Sequence, residues 1–212
     1  MKYQYILFLF AILLITVVPL SGCTSTESQG PVVTPTLRVA PTTSVTTIPV
    51  TTMAVPGNGS AEDWNLKGIE SSNKKDYLGA LYADEKAIAL DPNNAVYWTN
   101  KSFDLNCLGR YSEALIADEK AISLKPDYAM AWIGKGITLS NLGRYSEALI
   151  ADEKALALDP KEKWGWNNKG VDLKKLNRYP EALVAYETAI ALDPTFQAAI
   201  TNKKNLVALM NK

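Results

Sequence analysis

Apolar and polar positions along most of this chain fall into one recurring register. From Ala61 onward, apolar residues return at helical spacing in stretches that come in pairs, each pair parted by a short turn. Ala129 to Leu142 reads as one helix and Arg144 to Leu158 as a second, with Gly143 at the junction. Asp159-Pro160 closes that pair, because proline cannot continue the helical ladder and pushes the residue before it out of helical geometry. Pro180 is compatible with a helix because it falls in a first turn. The whole pattern repeats every 34 residues, as the tryptophans at 64, 98, 132 and 166 show. Gly68, Gly136 and Gly170 follow four residues later, with Ser102 in the remaining slot. Columns of Tyr77, Tyr111, Tyr145, Tyr179 and of Pro92, Pro126, Pro160, Pro194 keep the same register, as do alanines at 80, 114, 148, 182 and at 87, 121, 155, 189. The stretch Leu108 to Ala121 recurs unchanged as Leu142 to Ala155. A fixed period of this length predicts a stacked array in which each helical hairpin hides its apolar face against its neighbours.

The column chemistry is steric. A bare glycine at 136 and a methyl at Ala148 let two helix axes approach closely, and Trp132 then fills the space between adjacent units. Indoles of this kind are read as core, each contributing a few kcal/mol by burial of about 150 to 250 Å².

These columns resemble the tetratricopeptide repeat, whose signature runs Trp, Leu-Gly, Tyr, Ala, Phe, Ala, Pro over one period. The resemblance covers Ala61 to Phe196, and Gln197 to Lys212 continues as a half unit with Ile200 in the tryptophan column. It implies an all-α, right-handed α-solenoid of about four helix-turn-helix repeats, at 61–94, 95–128, 129–162 and 163–196, with a capping helix at 197–212. Lys203, Lys204 and Lys212 make that last helix the more polar one, as suits a solubilising cap.

Two columns depart from the family. Lys67, Lys101, Lys135 and Lys169 replace a leucine, and Asp84, Asp118 and Asp152 replace an aromatic that Tyr186 keeps. Matching losses suggest pairing, either with the next unit as Asp84–Lys101, Asp118–Lys135 and Asp152–Lys169, or within a unit. The other reading has each lysine tip reaching solvent over its apolar stem.

In the family, the first helices of successive units line a concave groove that holds a peptide or a partner helix. By that register the groove here is lined by Asn65, Ile69, Val96, Thr99, Phe103, Met130, Ile133, Ile137, Trp164, Asn167 and Val171. It is apolar in its middle. Thr99, Phe103, Ile133 and Ile137 stand where the two-carboxylate clamp of chaperone-binding relatives needs polar side chains, so such a clamp is not expected.

Composition narrows the chemistry. Lysine plus arginine equals aspartate plus glutamate at 22 each, so no net field recruits nucleic acid. Histidine is absent, which removes the usual neutral-pH base, the commonest metal ligand and every Ser-His or Cys-His nucleophile. The two cysteines, Cys23 and Cys107, cannot build a four-ligand zinc site, and their spacing gives no support to a disulfide. Cys107 reads as a small apolar residue. No catalytic residue, metal or cofactor is therefore assigned.

The N-terminal segment is different material. Ile6 to Val18 is apolar except for Thr16, within the length of a signal's apolar region and short of the ~20 residues that span a bilayer. Leu20-Ser21-Gly22-Cys23 follows and resembles the prokaryotic lipoprotein box. That resemblance implies a signal peptide over 1–22 and a lipidated Cys23 at the mature N-terminus. The other readings are an uncleaved anchor or an ordinary signal, and all three place the repeats outside the cytoplasm at the cell membrane. Residues 23–60, rich in Thr, Ser and Pro with Glu27 and Arg38 as the only charges, read as a disordered stalk. Asn58-Gly59-Ser60 and Asn100-Lys101-Ser102 fit the N-glycosylation sequon, the second inside an expected helix.

The function expected is a membrane-tethered scaffold that binds a protein or peptide partner in its groove, and is not an enzyme. Two alternatives belong to other classes: a carboxylate-based extracytoplasmic enzyme or carbohydrate-active protein, and a structural subunit that self-associates end to end.

Overall fold

The computed structural model describes residues 59–211, so the expected signal peptide, Cys23 and all but the last two residues of the expected stalk lie outside it. Among the described residues the structure is wholly helical. Four hairpins follow one another: α1 Ala61–Asn73 with α2 Tyr77–Leu90, α3 Ala95–Cys107 with α4 Tyr111–Leu124, α5 Ala129–Asn141 with α6 Tyr145–Leu158, and α7 Lys163–Lys175 with α8 Tyr179–Leu192. A single helix, α9 Gln197–Met210, follows. The first helices of the four hairpins begin 34 residues apart, and Gly143 stands in the left-handed region with φ 75°, between α5 and α6. Lys75, Gly109 and Asn177 adopt the same conformation at the other three hairpin turns. A left-handed residue there lets the backbone N–H three positions past the last helical residue reach back, as Arg144 N does to the Leu139 carbonyl at 2.9 Å.

Local chemistry sets the ends. Ser60 caps α1 by accepting from Asp63 N at 3.2 Å while the Asp63 carboxylate accepts from Ser60 N at 2.8 Å, a reciprocal capping box. Arg110, Arg144 and Arg178 precede three second helices and grip Glu113, Glu147 and Glu181 one turn on, each at 2.6 Å. Pro180 sits in the first turn of α8, as expected.

The alanine columns are the most deeply buried part of the molecule, with Ala80, Ala114, Ala148, Ala182 and Ala87, Ala121, Ala155, Ala189 all fully enclosed. Trp98 and Trp166 each bridge two apolar clusters, Trp132 packs against one, and all three are only partly buried. Each indole N–H donates to the carbonyl of the proline column in the preceding unit, Pro92, Pro126 or Pro160, at 2.9 Å. The ring therefore packs the junction and also satisfies a loop carbonyl. Trp64, which has no preceding unit among the described residues, packs edge-on to Tyr82 at 5.9 Å.

Lys203 does bond Glu187 at 2.8 Å, but α9 also leaves Val207, Leu209 and Met210 exposed. Val207 occupies the column of Leu105, Leu139 and Leu173, which the second helix of a unit covers, and among the described residues nothing plays that part for Val207. No described helix is long and apolar enough to cross a membrane.

Candidate functional site

First helices of successive units pack on one another, whereas second helices touch chiefly their own partner and the next first helix. That asymmetry puts α1, α3, α5, α7 and α9 on the inner side of the stack. Of the expected groove residues, Val96, Thr99, Phe103, Met130, Ile137, Trp164 and Val171 stay partly open there. Phe103, Ile137 and Val171 form one column across α3, α5 and α7, so the middle of the face is apolar. Trp164 packs edge-on to the buried Phe196 with ring centroids 4.5 Å apart.

Asn65, Ile69, Ile133 and Asn167 are corrected. All four are buried, Ile133 completely, and do not line the open surface. Two of them serve a different purpose: the Asn100 amide donates to Asn65 at 2.8 Å, and that of Asn202 to Asn167 at 2.9 Å. Asn141 does the same to Asn106 at 3.2 Å, and the Tyr97 hydroxyl donates to Glu62 at 3.2 Å. Each pair is separated by 35 residues, so polar rungs tie neighbouring first helices together. Asparagines recurring at that interval were visible in the sequence and carried the signal.

The lysine and aspartate columns also behave otherwise than expected. Lys101, Lys135 and Lys169 reach the preceding unit, but they bond Glu85, Glu119 and Glu153 at 3.0, 3.1 and 3.0 Å and not the adjacent aspartates. Lys67 lies over the Trp64 ring, 4.5 Å from its centroid, and Lys101 and Lys169 lie near Trp98 and Trp166. Asp84, Asp118 and Asp152 are buried. The glycines of the first helices make the room: a Cβ at Gly68 would stand 2.9 Å from the Asp84 carboxylate, and one at Gly134 2.6 Å from that of Asp118. Burial pushes the Asp118 carboxyl up to about 7 against the pull of Ser102 and Thr138.

Three further features bear on function. Ser102 is buried and Asn100 is engaged with Asn65, so the internal sequon is not presented as a loop. Cys107, at the end of α3, is not a free thiol, which corrects its reading as a plain apolar residue. On the second helices, Tyr82, Ile116, Ile150 and Val184 form a 34-residue column of exposed apolar side chains that the sequence reading did not single out.

Helical hairpins stacked in file, with an open inner face of partly apolar side chains, define an α-solenoid of the kind that serves as a protein–protein interaction scaffold. Residues 129–162 and 164–196 match models of the tetratricopeptide repeat. The chain carries tetratricopeptide repeats. A thermophilic TPR protein of Thermus thermophilus has the same fold, with TM-score 0.65 at 18% identity over 70% of this chain and 82% of that one. YrrB, a TPR protein with an unusual peptide-binding site, is similar with TM-score 0.57 at 25% identity over 68% of this chain and 74% of its own. The first TPR of Spaghetti (RPAP3), bound to the HSP90 peptide SRMEEVD, shares the fold with TM-score 0.54 at 19% identity over 57% of this chain and 97% of its own. No curated protein matches the chain in sequence.

Proposed function

We propose that this protein is a membrane-tethered scaffold whose inner face captures an apolar peptide or helix of a partner, outside the cytoplasm. The observation that carries the reading is the open column Phe103, Ile137, Val171, flanked by Val96, Met130 and Trp164 on the inner helices. Apolar side chains left open on such a face favour a ligand that brings its own apolar anchors. YrrB supports the choice of a peptide as ligand, being a TPR protein with a peptide-binding site. The carboxyls carried by α3, α5 and α7 are those of Asp104 and Asp172, both buried, so neither is open to act on a sugar held against that column.

Tethering rests on the Leu20-Ser21-Gly22-Cys23 box and the stalk that follows it. Mass spectrometry of the protein extracted from its membrane tests this: a mature N-terminus at Cys23 carrying lipid mass supports it, and an unmodified thiol there ends it.

A further inference from the structure

Each of the three junctions between the four units buries a polar cluster drawn from three columns. The second helix of a unit supplies Asp84, Asp118 or Asp152. Twenty residues on, the first helix of the next unit supplies Asp104, Thr138 or Asp172, and the first helix of the earlier unit adds Ser72, Asn106 or Ser140. The five aspartates are at most 2% exposed.

The middle junction has one carboxyl and several donors. Thr138 Oγ1 donates to Asp118 Oδ2 at 2.6 Å and accepts from Asn106 Nδ2 at 2.7 Å. The outer two junctions are different, because two carboxyls meet in each. Ser72 donates to Asp104 at 2.8 Å and Ser140 faces Asp172, but Asp84 Oδ2 and both oxygens of Asp152 have no donor among the described residues, as is also true of Asp118 Oδ1 in the middle junction, where no second carboxyl faces it. No described cation reaches in. Lys101 and Lys169, the nearest, are held outside by Glu85 and Glu153 at 3.0 Å. The remaining charged groups facing the first pair are Glu85 and Asp76, and Glu153 faces the second, so every one of them is an acid. The Tyr186 hydroxyl near Asp172 is likewise without a partner.

Two ionised carboxylates cannot share such a space, and neither can donate to the other. A single proton between them changes both facts at once: it removes one charge and creates the missing donor. The fourth junction, α8 with α9, dispenses with the device. Tyr186 and Leu206 stand in the same two columns there, both fully buried in an apolar cluster.

We propose that the Asp84–Asp104 and Asp152–Asp172 junctions are proton-held joints, stacked while each pair shares a proton and opened by mutual repulsion when the proton leaves. The two outer joints of the array then loosen with rising pH while the last junction, which has Tyr186 and Leu206 in place of the two carboxyls, holds. The curvature of the inner face follows the state of these two joints.

Hydrogen exchange of the full chain, resolved by peptide and corrected for intrinsic rate, tests this at pH 5 and pH 8.5. Protection in α2–α3 and in α6–α7 falls at least tenfold at the higher pH, while α8–α9 changes less than twofold. Asp104→Asn and Asp172→Asn each shrink the fall at their own junction and at no other, because the carboxamide donates to the partner carboxylate as the proton did and removes the repulsion. An equal loss at every junction, no loss at the paired ones, or a variant that keeps the full fall at its own junction overturns the proposal. If either variant fails to fold, the wild-type contrast between α6–α7 and α8–α9 still decides.

Discussion

Lys101 passes the buried Asp84 and places its ammonium 3.0 Å from Glu85, the residue beside it. The same step past the aspartate recurs at Lys135 and Lys169, so the lysines seal the surface of each junction and leave its interior acidic. Ion pairs with a half-exposed partner contribute little, typically under about 1 kcal/mol. Lys135→Met should therefore shift urea-denaturation stability by less than about 1 kcal/mol. A loss above about 2 kcal/mol would mean that Asp118 depends on this cation after all.

The indoles combine packing with a hydrogen bond, and two substitutions separate these contributions. Trp132→Ala removes the ring between Leu115, Leu139, Ala148 and Ala151 and should cost about 3 to 5 kcal/mol. Trp132→Phe keeps most of the packing but releases the Pro126 carbonyl, at a cost of about 1 kcal/mol. Equal losses in the two variants, measured by chemical denaturation, would contradict the division.

Gly170 lies against the Tyr186 ring, and a Cβ there would stand 2.5 Å from Cε1. Alanine is favoured over glycine inside a helix by roughly 1 kcal/mol. Tyr186 is fully enclosed and has nowhere to retreat, so Gly170→Ala should still destabilise, by about 1 to 3 kcal/mol. A rise in the melting temperature would show that the α7–α8 contact is looser than described.

Much of this arrangement was legible before any coordinates. The 34-residue period gave the hairpins and the glycine turn at Gly143, because each column answers to one steric demand repeated four times. The inner face was legible only in part. Register names the residues that face inward, but successive first helices lie against each other along that face and swallow some of them. Ile133 and Asn167 vanish into those contacts while Ile137 and Val171 stay open. The aspartate column was misread for a related reason. Opposite charge at a suitable interval suggests a pair, yet Glu85 offers the lysine a partner that need not be desolvated.

Buried acid gives the stability curve a sign. The Asp118 carboxyl is pushed up to about 7 in the fold, against roughly 3.9 in an unfolded chain. The folded state thus binds the extra proton between these values. Its stabilising contribution is complete below about pH 4 and is lost as pH rises through about 7. Asp118→Asn does not titrate, so the fall in urea-denaturation stability between pH 4.5 and pH 7.5 should shrink by a few kcal/mol. An unchanged fall in the variant would place the titration elsewhere.

The claim on which the function rests is that ligands enter by the inner, not the outer, apolar surface. Peptides selected against the full chain from a random displayed library, then titrated individually, test it most directly. Phe103→Asp combined with Ile137→Asp should weaken binding of apolar peptides at least tenfold without loss of helicity by circular dichroism. Ile116→Asp combined with Ile150→Asp, on the exposed column of the second helices, should leave binding unchanged. Binding that survives the first pair and fails in the second would contradict the account and move the site to the outside of the array.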